Sequence, residues 1–186
     1  MEPAHSFKEQ TDVLLDLLST LDEDQLNQIP FSGSWTAAQV ADHLYRSYEI
    51  EYLLNGKVND SKRPADGQMP TINKIFLNFD EKYKSPPEIV PTDDFLDKKN
   101  LMKNLQERIA FIHEAALTMD LSLLCMESEF PYMGYLTRFE WIGFCAAHTL
   151  RHNRQIENIL IKWTMTEKGK FLKKFNEAFA KGDIDF

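Results

Sequence analysis

Helical periodicity constrains this chain more than any other feature. Only seven glycines occur, and the eight prolines gather in a few places, so long stretches contain no helix breaker. Within them apolar residues recur at three- and four-residue steps. Val13, Leu14, Leu17, Leu18 and Leu21 predict a first helix over roughly residues 5–28, closed by Pro30. Ser32, Gly33 and Ser34 form a turn, after which Thr36 and Gln39 read as a capping box. The second helix carries Val40, Leu44, Tyr45 and Tyr48 to Leu54, where Asn55 and Gly56 supply a left-handed stop.

Residues 57–91 interrupt the pattern with five prolines and Gly67. They predict a long crossover holding one short amphipathic helix, in which Ile72, Ile75, Phe76 and Phe79 share a face. A third helix follows Thr92, striped by Met102, Leu105, Ile109, Ile112 and Ala116. After a loop through Pro131 and Gly134, Thr137 and Glu140 form a second capping box. The fourth helix runs to about Trp163, and Thr166 or Glu167 opens a C-terminal helix whose Phe171, Leu172, Phe175 and Phe179 would pack outside the bundle. The expected fold is all-α: one domain over residues 1–186, a four-helix bundle with a long crossover between helices two and three and an extra C-terminal helix.

A chain of 186 residues can bury on the order of 70% of its unfolded surface, enough for a core without covalent staples. Cys125 and Cys145 sit among apolar neighbours, as core thiols do in a reducing compartment. The N-terminus lacks the basic and apolar regions of an export signal, and no apolar run approaches the roughly 20 residues that cross a bilayer. A cytoplasmic protein is expected. The net charge of −8, with no basic face interleaved with aromatics, excludes nucleic acid and anionic membrane as partners, because phosphate binding depends on releasing counterions from a basic surface.

Chemistry concentrates in the histidines. His148 and His152 are four apart, hence about 40° around the helix axis and about 6 Å along it, so both rings can reach one ion. A third ligand must come from another element, and His43 near the start of the second helix is the natural supplier. Trp141, Phe144, Cys145, Gln155 and Ile159 share the side of the helix that carries the pair, which therefore faces the core. Two buried imidazoles need partners, since each unsatisfied nitrogen costs about 1–3 kcal/mol. Spacing and orientation leave two readings level, a metal site and a satisfied core pair. Cys145 reads as a core thiol, His113 as exposed and His5 as part of a fraying end. Arg151 and Arg154 read as solvent or crossover contacts. Gln155 could orient a ligand or simply pack, and Asp42 turns about 100° from His43.

The stretch Gly134, Tyr135, Leu136, Thr137, Arg138, Phe139, Glu140, Trp141, followed by His148, Thr149, Leu150, Arg151, His152 and Gln155, resembles the closing-helix signature of the DinB-like superfamily, which includes the YfiT-like metal-dependent hydrolases. Residues 35–44, WTAAQVADHL, resemble its first ligand helix. The resemblance implies a four-helix bundle with a three-histidine metal site on His43, His148 and His152. Many members carry a His-Pro pair before the glycine, where this chain has Phe130 and Pro131.

Three neutral imidazoles would leave a divalent ion an open position, the layout of a catalytic site. Zinc or nickel leads the expectation, with iron also compatible. The family's chemistry implies activation of water or of a low-molecular-weight thiol against a small electrophile, as hydrolase or thiol S-transferase. The thiol is preferred, because no general base stands beside the ligands. The competing expectation is a non-catalytic metal-binding bundle, a stress-linked interaction or dimerisation module. Homodimer formation stays open in either case.

Overall fold

In the computed structural model, the structure describes residues 2–81 and 83–180, the side chains at 167 and 170–180 excepted. The fold is all-α. Its elements are α1 (Pro3–Ser19), α2 (Glu23–Asn27), α3 (Ala37–Ser47), α4 (Glu51–Asn55), β1 (Val58–Asn59), α5 (Met69–Phe76), a 3₁₀ turn (Pro87–Ile89), α6 (Lys98–Thr118), β2 (Leu124–Cys125) and α7 (Arg138–Ala180). Four long helices make the body: α1 packs on α6 and α7, and α3 packs on the same two. Phe7, Leu14, Leu18, Val40, Leu44, Leu105, Ile112, Ile142 and Ile156 meet in one buried core.

Both capping boxes form as their residue types dictate. Thr36 Oγ1 accepts from Gln39 N and Gln39 Oε1 from Thr36 N, while Thr137 and Glu140 do the same at the entrance to α7. The helices they open differ from the expected ones in length. The first ends at Ser19, and a capping box on Asp22 and Gln25 starts the short α2; Val13, expected in the core stripe, is exposed. The second breaks after Ser47, whose hydroxyl donates back to His43 O, and resumes as α4. Gly56 does not supply a left-handed stop, for its φ is −77°. A Cβ there would lie 2.5 Å from Tyr52 O and collide with Glu127, so close approach is what this glycine serves.

The C-terminal helix is not separate. α7 runs unbroken for 43 residues, and the Thr164 and Thr166 hydroxyls donate to Leu160 O and Lys162 O within it, so the residues expected to open a new helix are helix interior. The packing expected of Phe171, Leu172, Phe175 and Phe179 falls on side chains outside those described. The small antiparallel ribbon, Val58 opposite Cys125 and Asn59 opposite Leu124, had no sequence signal. It ties the start of the crossover to the loop before α7.

The crossover is strapped down over its length. Glu140, fully buried, accepts from both terminal nitrogens of Arg63, from Gln68 N at 2.6 Å and from Thr137 N at 2.9 Å. Met69 fits over Gly143, where any Cβ on α7 would meet its sulfur at 2.5 Å, and α5 lies along α7. Past α5, Arg151 donates to Asn78 O at 2.7 Å and to Glu81 O, while the Arg154 guanidinium sits 4.0 Å from the centre of the Phe79 ring. Both arginines are crossover contacts.

Candidate metal centre

Helix α3 delivers His43 and helix α7 delivers His148 and His152 to one buried point. The Nε2 atoms of His43 and His152 lie 3.2 and 2.9 Å from His148 Nε2. The rings stand steeply to one another, at 65–78°, as three blades around a common centre. Among the described residues these three form a group able to hold a metal, their ligand atoms all within 4.8 Å of one another.

The hydrogen bonds behind the rings decide which nitrogens carry protons. His43 Nδ1 lies 2.7 Å from Ile89 O, and a carbonyl only accepts, so Nδ1 bears the proton and Nε2 a free lone pair. His152 Nδ1 donates to Gln155 Oε1 at 2.8 Å, with the same result. His148 Nδ1 is buried without a partner among the described residues. A proton on His148 Nε2 serves one neighbouring lone pair and strands the other, whereas a proton on Nδ1 leaves three lone pairs aimed at one point. A divalent cation resolves that conflict. With metal–nitrogen bonds of about 2.0–2.1 Å in a tetrahedron, ligand nitrogens stand about 3.3 Å apart, close to the spacing here. The residues present fit such an ion.

Electrostatics agree. Burial holds the His148 pKa well below the usual imidazole range, and the neighbouring His152, His43 and Arg151 depress it further. Burial and His43 lower His152 to about 3, against a smaller opposing effect of Gln155. His43 is lowered mainly by burial, opposed by the Ile89 carbonyl and Asp42. All three rings are therefore neutral near pH 7, the state in which imidazole binds a metal.

The walls are aromatic. Phe144 stacks on His148 with centroids 5.3 Å apart and planes 17° apart; Phe76 meets the same ring edge-on at 5.5 Å, and Trp35 lies 5.1 Å from His43. Phe130 packs on Phe76, Phe144 and Trp141 and extends the apolar wall. Helix α5 brings Phe76 to this wall, but Phe79, expected on the same helix face, falls beyond α5 and is exposed. Two clefts open elsewhere. One of about 620 Å³ is lined by Tyr45, Tyr52 and Arg108, the other, of about 310 Å³, by Gln10, Asn73 and Ala147; neither touches the three histidines.

The remaining candidates stay outside. Cys145 is a fully buried thiol whose pKa burial pushes up, His113 is half-buried on α6, and His5 is exposed in the first turn of α1. Gln155, which sequence left between orienting and packing, accepts from His152 Nδ1. Sequence reasoning missed the Ile89 carbonyl and the Arg63–Glu140 pair, since a main-chain acceptor has no residue signature and partners 77 positions apart give no local pattern.

Residues 6–156 match the family model of the DinB superfamily. The chain is also 26% identical over 149 residues to an uncharacterised protein, YuaE, of Bacillus subtilis (strain 168), across 76% of this chain and 87% of that protein. No solved structure matches it.

Proposed function

The chain belongs to the DinB superfamily, and on that footing we propose that it is a divalent-metal enzyme activating a low-molecular-weight thiol, or else water, for attack on a small electrophile. The observation that carries the reading is the convergence of three imidazole nitrogens whose outward partners leave lone pairs facing one point. A bound divalent ion supplies a Lewis acid that makes a thiol or water beside it more acidic. The chain's own residues do the rest. Ile89 O and Gln155 fix the His43 and His152 rings, and Trp35, Phe76 and Phe144 keep bulk water from the reacting groups.

The thiol is favoured over water because, among the described residues, no unengaged base stands beside the three histidines. Asp42 is engaged by Thr92 N and Arg46, and Glu140 is locked to Arg63. Zinc or nickel, with iron as a third choice, suits the all-imidazole set. A thiol and a small electrophile as partners and a cytoplasmic location complete the proposal; no helix among the described residues is long and apolar enough to cross a membrane.

One observation favours a second reading. The three rings are only 2–7% exposed, as in a closed site, which suits a non-catalytic metal-binding module serving interaction or dimerisation. The test is metal analysis of untagged protein, then thiol titration of the cobalt-substituted form. A spectral change on adding thiol, together with transfer of that thiol to an electrophile, supports the enzyme. A bound ion blind to thiol supports the module, and absence of stoichiometric metal overturns both.

A further inference from the structure

His43 differs from the other two ligands in what orients it. Gln155 lies on the same helix as His152, whereas the carbonyl facing His43 Nδ1 belongs to Ile89, 46 residues away in the crossover. Something must hold that carbonyl in place. Apolar packing contributes little at the carbonyl itself, since residues 86–88 and Val90 are exposed and Ile89 is only half-buried, Pro91 being the one buried residue before Thr92. The fixed point comes just beyond, where Asp42 Oδ2 accepts from Thr92 N at 3.0 Å and Gln39 Nε2 donates to Thr92 O at 3.2 Å and to Asp93 Oδ1 at 3.1 Å. Gln39, Asp42 and His43 follow at helical three- and one-residue steps on α3, so one helix both presents the ligand and grips the strand that orients it.

We infer that Asp42 is a positioning residue for the metal centre: by holding the Thr92 amide it keeps Ile89 O on His43 Nδ1, which fixes the tautomer that turns Nε2 towards the ion. The inference rests on the metal reading given above, but its geometry is that of the chain's own residues. Loss of a group behind a metal ligand commonly weakens metal binding 10- to 100-fold. Asp42 acts one step further out, so Asp42→Ala weakens zinc binding about 10-fold, at the lower end of that range. Asp42→Asn keeps an oxygen for the Thr92 amide and retains wild-type affinity. Arg46→Ala removes the other partner of the same carboxylate, which donates through Nε at 2.9 Å, and leaves affinity unchanged. Because coupling is reciprocal, zinc in turn slows hydrogen exchange of the Thr92 amide in the wild-type chain.

The experiment is zinc titration of the wild type and the three variants, with exchange at the Thr92 amide and the His43 Nδ1–H resonance followed by NMR with and without zinc. Wild-type affinity in Asp42→Ala overturns the inference, and so does a loss in Asp42→Asn equal to that in Asp42→Ala, which would assign the effect to charge. If Asp42→Ala does not fold, unchanged Thr92 exchange on adding zinc to the wild type overturns it. If the wild type takes up no zinc, the metal reading fails by itself. Positioning is then judged on the metal-free Nδ1–H signal, which is sharp and slow to exchange in the wild type and Asp42→Asn; a signal equally sharp in Asp42→Ala overturns it.

Discussion

His148 has no hydrogen-bond partner on Nδ1 among the described residues and stacks flat on Phe144, yet its Nε2 lies 3.2 and 2.9 Å from those of His43 and His152. Replacing His43, His148 or His152 singly by alanine is expected to abolish stoichiometric metal binding, because two neutral imidazoles hold a divalent ion poorly, while His113→Ala leaves metal content unchanged. Metal analysis of the four purified variants checks this, and full metal in His43→Ala would refute the three-ligand site. The metal-free protein carries a pH signature as well. Unfolded, these rings take up protons near pH 6.5; folded, His152 does so only near 3 and His148 well below the ordinary value. The unfolded state therefore binds more protons below pH 6.5, so stability is complete above that pH and declines as pH falls towards about 3. Denaturant midpoints of the chelated protein measured across that window, compared with a His148→Phe/His152→Leu double variant, should show the decline much reduced in the variant. The i,i+4 pair was legible in the sequence because both ligands lie on one helix, whereas the partners that orient them come from side-chain direction and from the crossover main chain.

At the scale of elements, capping chemistry was legible and helix ends set by distant contacts were not. Thr36 with Gln39 and Thr137 with Glu140 act within three residues and leave a local pattern, whereas the break after Ser47 coincides with the hydrogen bond between the Tyr48 and Thr149 hydroxyls, 101 residues apart. Glu140 shows both kinds of information in one side chain: the cap was foreseen and the Arg63 clamp was not. Glu140→Ala is expected to cost about 3–5 kcal/mol, since it removes a buried charge partner and strips acceptors from the Gln68 and Thr137 amides. Urea denaturation measures the loss, and a cost under about 1 kcal/mol would mean that the clamp does not hold the crossover. Phe76→Ala opens the wall beside His148 without touching a ligand. It should leave metal content intact and shift selectivity towards bulkier electrophiles, as competition between two electrophiles of different size would show.

For the whole molecule, four helices share an apolar core that extends well beyond the aromatic wall around the three histidines. Chelation should therefore lower the melting temperature and leave far-UV helicity intact at 25 °C. With free ion at about 100 times Kd, the linkage contributes about 2.7 kcal/mol, or roughly 5–10 °C for a chain of this size. Loss of helix on chelation would make the ion structural and count against an enzyme. The 105 residues that separate His43 from His148 carry a kinetic consequence. Closing a loop of that length costs on the order of 4 kcal/mol of chain entropy, and it must be met before the third ring can join the first. Local contacts within each helix form sooner, so the ion is expected to arrive at a chain already past its folding barrier. Metal should then leave the refolding arm of the chevron where it is and slow the unfolding arm, prolonging the life of the native state without hastening its birth.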